Sequence, residues 1–240
     1  MPDSARPGNR VARAEVRSMF DRIAPLYDAM NTVMTAGLDA RWRRAAAAAT
    51  RLGPGDAAVD VACGSGALTR ELARRVSATG TVIGVDISER MLERARGRRT
   101  PEDAASPHYL HADALALPLP DANADAATIA FGLRNVSDYA ACLAELCRVV
   151  RPGGRVVVLE LATPERGVGR LVAATWFGRV VPVLGRLVGG GSAYRYLAES
   201  VAGYPNPSTV AATMSAAGLQ HVRWRRLWPG LVTIHVGERG

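Results

Sequence analysis

A chain of 240 residues, 48% of them hydrophobic, is long enough for one α/β domain with additions and its own core. It has no run of about 18 uncharged apolar residues and no signal-type apolar segment near its start, so neither a membrane span nor a secretory signal is expected. The net charge of +8 invites a nucleic-acid reading, but all 30 basic residues are arginines, scattered without interleaved aromatics, so no nucleic-acid partner is expected.

Residues 1–14 are rich in Pro, Gly, Ser and Arg and read as a disordered leader, followed by a single domain over 15–240. Val16, Phe20, Ile23 and Tyr27 recur at helical spacing, with Pro25 forcing a break, so residues 15–52 read as a helical cap of short pieces. A further helical piece runs from Leu38 to Thr50 and includes Trp42. Tyr27 and Asn31, four apart, would present a hydroxyl and an amide on one face.

The chain then turns on Val59-Asp60-Val61-Ala62-Cys63-Gly64-Ser65-Gly66, an apolar run breaking into a glycine turn. Leu68, Leu72 and Val76 follow at helical spacing, so the stretch is a buried strand, a turn and a helix over 67–77. Glycine suits such a turn because it accepts positive φ and has no Cβ to keep a ligand away. Strand two, 81–87, ends in Asp86, and Ser88 can cap a helix burying Met91, Leu92 and Ala95. Strand three runs from His108 to Asp113, strand four from Ala126 to Phe131, and a helix from Asp138 to Val150. Pro152-Gly153-Gly154 stops that helix before strand five, Arg155 to Leu161.

Alternating units of this length imply a Rossmann-like, doubly wound seven-stranded sheet, mostly parallel with an antiparallel C-terminal strand. An insertion over 164–206 is apolar beyond the needs of a surface loop, and is either a helical pair on the core or a lid that covers a greasy substrate or touches a bilayer surface. Helix 207–217 and a closing hairpin, His221–Leu227 and Leu231–Glu238, complete the chain. Gly64, Asp86, Asp113, Phe131 and Glu160 all fall at strand carboxyl ends, where open α/β sheets bind ligands. Cys63, Cys142 and Cys147 lack metal or disulfide spacing and read as buried thiols; the four histidines are dispersed, so no metal is expected.

An acid about 20 residues beyond the glycines suits a ribose diol. The dinucleotide fingerprint, however, wants a third glycine where this chain has Thr69. Asp86 followed by Asp113-Ala114 around one glycine turn resembles the class I S-adenosylmethionine-dependent methyltransferases. Four further motifs are Phe20 to Asn31, Gly132-Leu133-Arg134-Asn135-Val136, Arg148-Val149-Val150-Arg151-Pro152-Gly153-Gly154 and Leu159-Glu160-Leu161. With them the chain, from about Met19 to its end, resembles the ubiquinone/menaquinone biosynthesis C-methyltransferase family. The resemblance implies S-adenosylmethionine as cofactor, held by Gly64, Ser65, Gly66, Asp86, Asp113, Ala114 and Ala130. It implies a lipophilic, prenylated demethyl-quinol as substrate, with Arg134, Asn135 and Tyr27 as catalytic residues. Arg134 would supply charge beside the phenol; the plainer alternative is that it pairs with an acid while Asn135 caps the turn. Ser65 stands where the family usually has threonine, and Ala67 and Ala130 where it usually has an acid and a serine. A phenol O-methyltransferase and an RNA methyltransferase are the rival enzymes. A cytoplasmic location with peripheral contact at the inner face of the membrane, and a homodimer, are the remaining expectations.

Overall fold

The computed structural model describes residues 17–22, 24–162, 200, 201 and 203–240. The expected leader and nearly all of the apolar insertion therefore lie outside the described residues. Seven strands form one sheet: β1 (Ala57–Val61), β2 (Thr81–Asp86), β3 (His108–His111), β4 (Ala124–Ala130), β5 (Val150–Leu161), β6 (Leu219–Leu227) and β7 (Val232–Arg239). Their spatial order is β3-β2-β1-β4-β5-β7-β6. β1 to β5 pair in parallel, and β7 runs antiparallel to both β5 and β6. The closing hairpin thus sits at the sheet edge as expected, with the antiparallel strand second from the edge because it fills the place beside β5.

Six helices accompany the sheet among the described residues: α1 (Tyr27–Met34), α2 (Leu38–Ala49), α3 (Ala67–Val76), α4 (Glu89–Arg96), α5 (Tyr139–Val149) and α6 (Pro207–Ala216). The cap is broken at Pro25, where a 3-10 turn over Ala24–Leu26 separates helical residues 17–22 from α1. Proline has no N–H to give a continuing helix, which accounts for the break. Ser88 caps α4 by accepting the Met91 N–H, and Asp138 caps α5 through Ala141 N–H. These side chains satisfy donors that helix starts leave unpaired.

Two apolar cores lie on opposite faces. One packs α2 and α3 through Trp42, Ala46, Leu68, Leu72 and Val76 against Val157, Leu159 and Ile234. The other packs α5 and α6 through Leu143, Leu146 and Met214 against Val59, Val61, Ile129 and Val158. β1, β4 and most of β5 are buried, as near-continuous apolar strands covered on both faces must be. All three cysteines are free and buried, and burial pushes the Cys142 thiol up to about 12.

β5 begins five residues before Arg155. Val150 already pairs with Ala124, and the register shifts between Ala124 and Ala126. The Pro-Gly-Gly stretch is therefore inside an irregular strand instead of ahead of it. A Cβ at Gly154 would come within 2.5 Å of Asp125 O and 2.6 Å of Val150 Cγ1. A backbone carbonyl cannot yield as a flexible side chain would. Gly154→Ala is expected to cost about 1–3 kcal/mol in urea unfolding; an unchanged midpoint would remove this close approach as a constraint on the fold.

Candidate active site

The strand ends on the β1–β4 side border an open cleft. Tyr27, Gly64, Asp86, Asp113, Ala114, Ala130 and Asn135 line it, with Phe20, Met91 and Leu115 among its apolar walls. Of the residues expected to hold a cofactor, Ser65 and Gly66 stand behind this wall, and so does Arg134 of the expected catalytic set.

The floor is made by backbone. Ala62, Gly64 and Gly66 adopt positive φ, at 52°, 56° and 75°. Only glycine does so without strain, and Ala62 is joined by Phe131 at 57° on the facing side of the cleft. Strained residues of this kind persist where the surroundings over-determine them, and they cluster at ligand sites. At Gly64 a Cβ would meet only Tyr27 Cε1 at 3.9 Å, whereas at Gly66 it would lie 2.5 Å from the Tyr109 hydroxyl. Gly64 thus keeps the floor open; Gly66 is glycine for packing as much as for its φ.

Asp86 is the polar anchor. One carboxylate oxygen accepts the Gly64 N–H at 2.8 Å and the other the Ser88 N–H at 2.9 Å. Burial raises its pKa, and these backbone N–H groups oppose the rise. Each oxygen keeps lone-pair capacity for a hydroxyl in the cleft. Asp113, after β3, accepts the Leu115 N–H at 2.9 Å and lines the same cleft. Asp86, Asp113 and the glycine floor therefore fit a nucleoside with a ribose diol and a polar base edge.

The cap is pinned across this floor. The Ser65 hydroxyl donates to Asp28 at 2.5 Å, and the Ser88 hydroxyl donates to Asp21 at 2.6 Å. Asp28 also pairs with Arg98. Ser65, expected to offer its hydroxyl to a cofactor, here fastens the cap, and the acid it binds was not singled out by the sequence pattern. Tyr27 packs edge-on against Phe20, with ring centres 5.9 Å apart.

Beyond β4, a 3-10 turn over Leu133–Asn135 carries the motif that sets this chain apart. Arg134 forms a buried ion pair with Glu160 and donates to Phe131 O at 2.9 Å, while its backbone N–H donates to the other Glu160 oxygen at 3.2 Å. Of the two arrangements weighed for Arg134, the structure shows the pairing with an acid. Asn135 donates to the same Phe131 O at 3.3 Å and still lines the cleft. Asn31, one turn beyond Tyr27, is not part of the cleft wall.

Asp60 lies beneath the glycine turn and went unassigned because its neighbours read as strand. It accepts the Thr69 hydroxyl at 2.6 Å and the Thr128 hydroxyl at 2.7 Å. Burial nevertheless pushes its carboxyl up to about 6.

The fold and this floor define a Rossmann-like α/β protein with a nucleoside-type cleft at its strand ends. Solved structures of the same fold include an S-adenosylmethionine-dependent methyltransferase from Thermotoga maritima, with TM-score 0.62, 19% identity and coverage of 94% of this chain and 100% of that one. The [4+2]-cyclase SpnF matches with TM-score 0.67 at 17% identity, covering 95% and 96%. The model of the ubiE/COQ5 methyltransferase family matches residues 9–239, and the chain belongs to that family. Demethylmenaquinone methyltransferase of Thermus thermophilus is 45% identical over 92% of this chain and 100% of that protein. The Mycobacterium marinum protein of the same name is 42% identical, covering 94% of each chain. Ubiquinone/menaquinone biosynthesis C-methyltransferase UbiE of Geobacter sulfurreducens is 38% identical over 94% of this chain and 88% of its own. The protein is thus an S-adenosylmethionine-dependent methyltransferase, as the motif at 132–136 and the Asp86–Asp113 pair imply.

Asp60 sets a pH signature. Its folded pKa of about 6 lies above the ordinary carboxylate value near 4, so the folded state holds a proton that the unfolded chain has lost. Its contribution to stability falls as pH rises from about 4 to about 6 and stays low above that. Asp60→Asn is expected to gain roughly 1–3 kcal/mol relative to wild type between about pH 4 and pH 8 in urea unfolding. Parallel pH curves for the two proteins would show that Asp60 ionises without penalty.

Proposed function

We propose that the protein transfers a methyl group from S-adenosylmethionine to a ring carbon of a prenylated demethyl-quinol, demethylmenaquinol before other acceptors. The observation that carries this reading is the meeting of Asp86, Asp113, Tyr27 and Asn135 on one cleft wall. The names of the three relatives point the same way.

S-adenosylmethionine, when bound, supplies an electrophilic methyl group. Asp86 would hold its ribose hydroxyls, Asp113 and Ala114 its base edge, and Gly64 and Ala130 the backbone walls beside it. A ring carbon ortho to a phenol becomes nucleophilic when the phenol, of ordinary pKa about 10, gives up its proton. Asn135 and Tyr27 would hold that hydroxyl and a water that takes the proton. Arg134 holds the 131–135 turn through Phe131 O and Glu160, so Asn135 meets the ring in one orientation. With the methyl already activated, such positioning supplies much of the acceleration.

Reduced short-chain demethylmenaquinol incubated with methyl-labelled S-adenosylmethionine is expected to give a product labelled on ring carbon by mass spectrometry. Label on oxygen, or none with cofactor still bound, would replace the acceptor assignment. Asp86→Ala should weaken cofactor binding by roughly 10- to 100-fold in calorimetry, the range of a hydrogen bond to a charged group; unchanged affinity would remove Asp86 from the site. Arg134→Ala should leave that affinity within about twofold and lower turnover by roughly 10²-fold, the scale of a positioning loss. Normal turnover at saturating quinol would take Arg134 out of the mechanism.

A further inference from the structure

The flank formed by α2 and the β6–β7 hairpin carries charge and apolar surface that the cleft does not use. Arg41 and Arg44 on α2, Arg51 after it, and Arg223 and Arg225 on β6 are all exposed. The acids of α2, β6 and β7 are Asp39 and Glu238, and both are already ion-paired, with Arg43 at 2.6 Å and Arg155 at 2.5 Å. The flank is therefore basic with little local acid to offset it. At its upper end Trp228 is 71% exposed, and Val33 on α1 is 58% exposed.

Topology fixes where this surface faces. β6 runs in the direction of β1 to β5, because β7 opposes both β5 and β6. The turn after Leu227 thus lies at the same end of the sheet as the cleft. α2 descends from that end into β1, which places Arg41 near the rim and Arg51 at the far end. The placement is fastened by Trp42, whose indole N–H donates to Trp228 O at 2.9 Å and whose ring lies 6.4 Å from Phe131 in the cleft wall. A rigid path of two packed rings joins the exposed tryptophan to the cleft.

We infer that this flank docks the enzyme on an anionic bilayer surface, with Trp228 at the headgroup level and the arginines on lipid phosphates. The inference rests on the proposed lipid quinol substrate, which a rim seated on the bilayer would receive directly. Charge complementarity favours this occupant, since arginines near an anionic leaflet are attracted and an exposed tryptophan sits well at its interface. A single-stranded nucleic acid fits less well, because it needs successive aromatic platforms. Trp224 does not add one beside Trp228: its ring packs 6.0 Å from His235 on the other face of the hairpin.

Flotation of the full chain with vesicles tests the inference, comparing pure phosphatidylcholine with vesicles that are about one-third phosphatidylglycerol. Binding is expected on the anionic vesicles and is expected to fall as salt rises. The double variant Arg41→Gln/Arg225→Gln should lose roughly 25-fold in affinity, about fivefold per arginine, and Trp228→Ala should also weaken binding. All of these variants should keep turnover on a detergent-dispersed short-chain quinol, which reports the proposed reaction separately. Equal binding to neutral vesicles, wild-type binding by the variants, or tighter binding to an RNA oligonucleotide than to the vesicles would each overturn the inference. If quinol turnover were absent while vesicle binding behaved as expected, the substrate reading would fail and the docking surface would stand.

Discussion

A single buried carboxylate holds the cleft together. Asp86 accepts N–H groups from Gly64 and from Ser88, so the turn leaving β1 and the turn leaving β2 share one anchor. Both turns would otherwise have unpaired donors facing the cleft, and a buried unpaired donor is costly. The consequence runs upward. Ser88, fixed by that bond, caps α4 and binds Asp21 of the cap; Gly64 keeps the floor low enough for Tyr27 to lie above it. Removing the carboxylate would therefore disturb the floor as well as any ligand contact.

The cap is fastened by bonds of the same kind. Asp21 and Asp28 each accept a serine hydroxyl from a βα turn, and Arg98 adds an ion pair that is largely solvated. Exposed pairs of that type contribute little. The serine bonds, more enclosed, are the stronger constraint, and they place Phe20 and Tyr27 on the cleft wall without a continuous helix to carry them.

What could be read from the sequence was what repeats locally. Leu68, Leu72 and Val76, the apolar runs of the strands, and the Ser88 cap fall where their spacing places them, because each is decided within a turn or two of chain. The start of β5 was not legible, since proline and two glycines resemble a terminator until Ala124 is known to pair with Val150. Nor were the side-chain partners. Arg134 and Glu160 are 26 residues apart, Ser65 and Asp28 are 37, and Ser88 and Asp21 are 67. No periodicity links residues that meet only after the sheet has formed. Asp60 was hidden for the opposite reason: it sits inside a strand pattern whose alternation says nothing about two threonines waiting on neighbouring elements.

The Arg134–Glu160 pair also bears on how a cleft of this kind handles charge. An isolated guanidinium there would be costly to desolvate, and with 8% of its side chain exposed Arg134 has little water to share. On the proposed reading it would also oppose a cationic donor bound a few residues away. Paired with a fully buried carboxylate, it contributes geometry and almost no net charge. The charged residues left lining the cleft, among those described, are Asp86 and Asp113. Their acidity suits a cationic sulfonium ligand, while Asn135, held by the same Phe131 carbonyl as Arg134, can hold a phenol without placing a fixed charge beside the methyl group. Arg134 is then half of a neutral brace, and on the proposed reading its effect on the reaction passes through the position of Asn135.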